Sequence, residues 1–142
     1  MPPEKLEAGS ASDWLRRSRS DLALARAPLP PGVLYNELCF HAQQAVEKSI
    51  KAVLVHRGIE FRKVHHLDYL IGLIPGDIPV PPEAADAVGL TNYAVVSRYP
   101  GDYEDIMEEA YQEAVLIAQA IVAWAEDTIL RGENTVYSGD RP

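Results

Sequence analysis

The chain has 142 residues, of which 47% are hydrophobic and 24% are charged, so it can bury the core of one globular domain. Its formal net charge of -8 disfavours a broad electrostatic surface for nucleic acid or anionic lipid. A single cysteine, Cys39, excludes an internal disulfide and a multi-thiolate metal site. No apolar run reaches the roughly 18 residues of a membrane span, and the amino terminus lacks a secretory signal pattern, so we expect a cytoplasmic protein.

Turn-forming residues divide the first half of the chain into helical segments. Ser12 can cap a first helix that runs to about residue 27, where the sequence PLPPG interrupts it. A second helix is predicted over about 33–57, and Gly58 suits its carboxyl-terminal cap. A short helical piece, HLDYLIGLI at 66–74, precedes the proline-rich loop PGDIPVPP.

Two further helices are predicted in the second half of the chain. One begins near Glu83 and ends near Arg98, because Pro100 disfavours a helical backbone at the residue before it. Asp102 can cap the last helix, which is predicted over about 103–130.

These segments predict an all-α fold, an up-down four-helix bundle with an additional short helix, over residues 11–131. Residues 1–10 and 132–142 are rich in Gly, Pro and polar groups, and we predict flexible tails there. Helical periodicity predicts a wide apolar stripe on the last helix. Its members are Ile106, Met107, Ala110, Ala114, Ile117, Ala118, Ile121, Val122, Trp124, Ala125 and Ile129.

The second helix carries apolar residues on both of its sides. Its core side includes Leu34 and the residues that follow at helical spacing, but Phe40, Leu54 and Val55 interrupt the opposite, polar side. These three residues lie outside the arc that a single bundle core would cover. We therefore expect a homodimer that buries them.

Three short motifs, in order along the chain, resemble the HEPN domain family. They are CFHAQQAVEKSIKAVL at 39–54, HHLDYL at 65–70 and SRYP at 97–100. The resemblance implies a bundle of four long helices with a short fifth, and frequent homodimers. It also implies nucleotide binding and pairing of small members with a minimal nucleotidyltransferase. Many catalytic members of the family are metal-independent ribonucleases, often toxins.

The ribonuclease members of the family carry an arginine followed, after four to six residues, by a histidine. Here Arg98 is present, but Tyr103, Glu104 and Asp105 occupy the three histidine positions, and all four histidines lie earlier in the chain. The sequence therefore predicts a non-catalytic interaction module. The resemblance implies that its partner is a separately encoded minimal nucleotidyltransferase and that the module contributes to nucleotide binding. One alternative is a ribonuclease toxin with a degenerate active site that uses Arg98 with Tyr103 or His66. A purely structural homodimer is a third hypothesis.

The candidate binding residues have a structural interpretation beside the functional one. Arg98 can tether two helices through a carboxylate or contact a phosphate. Glu47 and Lys51 have the spacing of a solvated salt bridge, and Glu37 with His41 lacks the second carboxylate–histidine pair of a di-iron site. We therefore expect no metal and no cofactor. The nucleotide-binding candidates are Arg98, Tyr99, Lys48, Lys51, His41 and Gln44.

Overall fold

A computed structural model describes residues 7–91 and 105–139, with side chains described as far as Gly132. Every regular element in those residues is helical, which confirms the predicted all-α class and is consistent with a four-helix bundle. The elements are α1 (Ala11–Ala25), α2 (Tyr35–His56), α3 (Leu67–Gly72), α4 (Glu83–Ala87, continued by a 3-10 turn at Val88–Leu90) and α5 (Glu108–Gly139).

The first helix begins two residues earlier than the sequence predicts. Ser10, not Ser12, is the cap, because the Ser10 hydroxyl accepts the backbone N–H of Asp13 at 3.1 Å. The Asp13 carboxylate in turn accepts the N–H of Gly9 at 3.0 Å and the guanidinium of Arg16 at 2.9 Å. A serine followed three residues later by an acid is the pattern of a reciprocal cap, and it occurs at Ser10.

Contacts at the ends of the helices fix their directions. Helix α5 runs parallel to α2, because the Ile106 N–H bonds to Asn36 at their amino-terminal ends, at 3.0 Å, and Gly132 lies against His56 at the other end. Helix α1 is antiparallel to both, and the Tyr111 hydroxyl donates to the Ala25 carbonyl at 2.6 Å. The core lies where these three helices meet, and buried residues of α3 and α4 complete it.

Helix α2 is buried on more of its circumference than its own pattern predicts. Leu54 is fully buried in the core of the chain itself, together with Leu67 and Leu70 of α3, so the prediction that it lies outside the core is wrong. Phe40 and Val55 are half-buried. Two predicted core residues, Leu34 and Met107, are 51% and 73% exposed. Both precede the first helical residue of their elements, so a wheel position does not apply to them.

The last helix starts later and ends later than predicted. It begins at Glu108 and continues through Gly139, so residues 132–139 are helical although the sequence predicts a tail there. The predicted tail begins at Gly132, but a Cβ at this position would overlap Nε2 of His56. The glycine therefore lies in close contact with the imidazole of His56. By contrast, Gly58 has a φ of +71° after the end of α2, which agrees with its predicted role as a cap.

The predicted second half of the fourth helix, from residue 92 to Arg98, lies outside the described residues. In the part of the chain that is described, none of the helices combines the length and the hydropathy that a bilayer span requires.

The cap of α1 predicts a dependence of stability on pH. The Gly9 N–H and the Arg16 guanidinium hold the pKa of Asp13 below its ordinary value of 3.8. A lowered folded-state pKa contributes stability above pH 3.8, and that contribution disappears as the pH falls through the folded-state value. We expect Asp13→Asn to be less stable than wild type at pH 7, with a difference that vanishes in strong acid, as measured by urea unfolding across pH.

The matched control for this prediction is Ser12→Ala. Ser12 is exposed and is not the cap, so this variant should unfold like wild type at every pH. A loss of stability in Asp13→Asn that stays constant from pH 7 to about pH 2.5 would contradict the assigned role of the carboxylate.

Candidate functional site

Two carboxylates organise the polar side chains between α1, α2 and the loop before α3. The first is Asp21 on α1, whose side chain is 12% exposed. It accepts hydrogen bonds from Lys48 Nζ at 2.6 Å and from His41 Nδ1 at 2.9 Å, both from α2. This pairing joins the two antiparallel helices through charge as well as through apolar contact.

The second carboxylate, Glu47, is the most enclosed charged group in the described residues. Its side chain is 2% exposed and accepts hydrogen bonds from Lys51 Nζ at 3.0 Å and from Gln43 Nε2 at 3.3 Å. A third partner, His65 Nδ1, approaches its two oxygens at 2.9 and 3.1 Å. A buried carboxylate needs such partners because leaving it unpaired costs several kcal/mol.

Lys51 is enclosed by aromatic rings as well as by its carboxylate. Its Nζ lies 5.2 Å from the ring centroid of Trp14 on α1 and 5.6 Å from that of Phe61 in the loop. Both distances are within the range of a cation–π contact. The sequence correctly predicts that Glu47 and Lys51 pair, but its expectation that the pair is solvated is wrong, because the rings that cover it come from other elements.

His65 presents an oriented imidazole to the solvent. Its side chain is 64% exposed, although Nδ1 is bonded to the buried Glu47. An ionised carboxylate can only accept, so Nδ1 carries a hydrogen and Nε2 lies on the outer side of the ring. Neighbouring His66 is also exposed, but its side chain makes no hydrogen bond or ion pair within the described residues. Sequence reasoning does not separate these two histidines, because only the distant Glu47 distinguishes them.

The predicted nucleotide-binding residues on α2 do not form one open row of cations. Lys48 and His41 share Asp21, whereas Lys51 is held by Glu47. Gln44 donates to the side chain of Gln43 at 2.6 Å and so extends the Glu47 network. Arg98, Tyr99 and Tyr103 lie outside the described residues, so their placement stays a prediction.

No group of three or more potential metal ligands occurs among residues 7–91 and 105–132. His41, which the sequence considers as a metal ligand with Glu37, bonds instead to Asp21 across the helix interface.

The fold and the motifs along α2 agree with one family of helical domains. A family model described as the HEPN domain matches residues 11–128. The chain belongs to the HEPN family.

Two solved structures share this HEPN fold. The crystal structure of TT1696 from Thermus thermophilus is 31% identical, with a TM-score of 0.73, and the match covers 84% of this chain and 98% of that chain. The crystal structure of ST0689, an archaeal HEPN homologue, is 29% identical, with a TM-score of 0.68 and the same two coverages, 84% and 98%.

A curated relative matches a shorter part of the HEPN chain. It is the protein named "Putative toxin MJ1304" from Methanocaldococcus jannaschii, which is 40% identical over 50 residues. These residues are 35% of this chain and 32% of that protein, so the match spans about a third of the relative's length.

The buried pair in this HEPN domain gives a testable stability difference. Lys51→Met keeps an apolar stem between the rings but removes the cation, so Glu47 stays buried without its charge partner. We expect a loss of about 3–5 kcal/mol in the free energy of unfolding, measured by chemical denaturation. The double variant Lys51→Met with Glu47→Gln should recover most of that loss, because no uncompensated charge remains.

The control has the same i, i+4 spacing on an exposed surface. Arg131 and Asp127 pair at 3.1 Å with side chains 75% and 57% exposed. Arg131→Gln should therefore cost about 0–1 kcal/mol. Equal losses in Lys51→Met and Arg131→Gln would show that the Glu47 pair is not buried in solution.

Proposed function

We propose that this HEPN domain is the helical interaction module of a toxin–antitoxin-type pair. On this proposal its partner is a separately encoded minimal nucleotidyltransferase, and the domain itself does not cleave RNA. Membership of the family and the local similarity to a protein named as a toxin support the type of module. The proposal places the protein in the cytoplasm and includes a homodimer.

The observation that carries the non-catalytic proposal is the absence of a histidine after Arg98. A ribonuclease needs a group that titrates near neutrality close to the 2′-hydroxyl and the leaving oxygen. The family position for that group is held here by Tyr103, Glu104 and Asp105. An unperturbed tyrosine, with a pKa of about 10, is a poor general base at pH 7.

The charges on α2 support a protein partner more than a free nucleotide at that face. A nucleotide carries several negative charges, whereas Lys48 and Lys51 are each already paired with a carboxylate of the chain. Binding a phosphate to either lysine would bring it next to Asp21 or Glu47, and like charges repel. Any nucleotide contact on this proposal is made by Arg98 and Tyr99, with the partner supplying the rest of the site.

The partner is testable by co-expression. We expect the chain and a minimal nucleotidyltransferase from the same genome to co-elute as one complex at micromolar concentration. Light scattering should give a mass equal to a whole number of each chain, and the isolated HEPN chain should have the mass of a dimer. Separate elution of the two proteins would contradict the partner, and a monomeric mass for the isolated chain would contradict the homodimer.

One observation favours the alternative function, a ribonuclease. The Glu47–His65 pair has the arrangement of a buried carboxylate that orients an exposed imidazole for proton transfer. In that case His65, rather than Tyr103 or His66, would supply the titratable group. This pairing identifies a specific imidazole for the ribonuclease alternative, whereas the positions that follow Arg98 at the family spacing contain no histidine.

RNA cleavage decides between the two functions. We expect no cleavage of structured or unstructured RNA by purified protein above the level seen with Arg98→Ala. Cleavage that disappears in Arg98→Ala would contradict the proposal. His65→Ala and the matched variant His66→Ala would then identify the imidazole. Loss of cleavage in His65→Ala but not in His66→Ala, together with a shifted pH–rate profile in Glu47→Gln, would assign the role to the Glu47–His65 pair.

A further inference from the structure

A second polar region lies away from Glu47, where α2 ends beside α5. It is a cleft of about 530 Å³ between the end of α2, the loop 75–79 and the carboxyl-terminal half of α5. Small-molecule sites commonly have about 300–1,000 Å³. Its lining includes His56, Arg57, Ile78, Trp124, Thr128 and Arg131.

One side of the cleft is apolar and held in place. The indole N–H of Trp124 donates to the Pro79 carbonyl at 2.8 Å, which ties the loop to α5. Ile78 is 7% exposed and packs in the core cluster that includes the partly buried Trp124. An aromatic side chain and a proline fixed in this way suit the flat apolar body of a ligand.

The rim of the cleft carries two exposed ion pairs. Arg57 uses both terminal amino groups on Asp77, at 3.0 and 3.2 Å. Arg131 instead uses Nε on Asp127, at 3.1 Å. The two terminal amino groups of Arg131 make no hydrogen bond within the residues whose side chains are described, and such a fork matches the two oxygens of a carboxylate.

The charges of the rim limit the charge of a ligand. Two arginines are balanced by two aspartates, so these four side chains give the cleft no surplus of positive charge. A polyphosphate would meet Asp77 and Asp127 as well as the arginines. A single carboxylate needs only the free fork of Arg131, because an exposed pair such as Arg131–Asp127 contributes little and tolerates a competing anion.

The close packing of α2 against α5 shapes one end of the cleft. A Cβ at Gly132 would overlap Nε2 of His56, so the glycine lets the imidazole lie directly against α5. His56 therefore forms a wall of the cleft.

We propose that this cleft binds a small monocarboxylate with a flat apolar body. The carboxylate bonds to the terminal amino groups of Arg131, and the flat body lies against Trp124 and Ile78. The site is separate from the Glu47 network and goes beyond the proposed function, because it needs neither the nucleotidyltransferase nor RNA.

The probe that tests this site is 2-naphthoate, measured by equilibrium dialysis or calorimetry with the full chain. Naphthalene-2-methanol has the same flat body without the charge, and cyclohexanecarboxylate has the charge without the flat body. We expect saturable binding of 2-naphthoate, and binding weaker by about tenfold or more for each of the other two compounds.

Two variants locate the binding, and a third is the control. Arg131→Gln should weaken 2-naphthoate binding about tenfold, whereas Arg16→Gln, which removes an exposed arginine paired with Asp13 at 2.9 Å elsewhere on the bundle, should not. Thr128→Trp should fill the cleft and abolish binding, with an unchanged circular dichroism spectrum to show that it folds. No saturable binding at millimolar probe, equal affinity in Arg131→Gln, or binding that survives in Thr128→Trp would overturn the proposal.

Discussion

The buried carboxylate of Glu47 imposes a constraint that side chains from several parts of this chain satisfy. A charge that is 2% exposed is stable only if its hydrogen bonds and its countercharge are supplied locally. Lys51 and Gln43 come from the same helix, and His65 comes from the loop before α3. Lys51 is itself buried, so its stem and charge need the rings of Trp14 and Phe61. The network is complete only when α1, α2 and the loop are in place, which couples it to the packing of these three segments.

The features that the sequence predicts correctly are those that nearby residues determine. The amphipathic pattern and Gly58 locate α2 to within two residues at each end, and burial of Cys39 follows from its position on the apolar face. Burial raises the pKa of that thiol to about 12, as expected for a small side chain in an apolar core. The family is also recognisable from the sequence alone, because its motifs are short runs of residues whose order along the chain can be read without a structure.

The features that the sequence misses depend on residues far away along the chain. A helical wheel of α2 shows which side Leu54 and Lys51 occupy, but it does not show what covers that side. Leu67 and Leu70 of α3 share a core cluster with Leu54, and Trp14 approaches Lys51 from α1. Similarly, a glycine in a helical pattern near its end suggests a stop. At Gly132, however, the helix continues, and the imidazole of His56 from α2 lies where a Cβ would be.

The same distinction separates the cations of this acidic chain that hold the fold together from those that are free to bind. Lys51–Glu47 and Arg131–Asp127 are both i, i+4 ion pairs on helices, and the sequence gives no reason to treat them differently. In the first pair, neither member can exchange its partner without leaving a charge in the interior. In the second, water already competes for both members, so a ligand anion can replace or join the aspartate at little cost. Burial, rather than the pairing itself, therefore determines which of these cations is available to a ligand, and the available one is Arg131 beside the cleft rather than Lys51 of the α2 network.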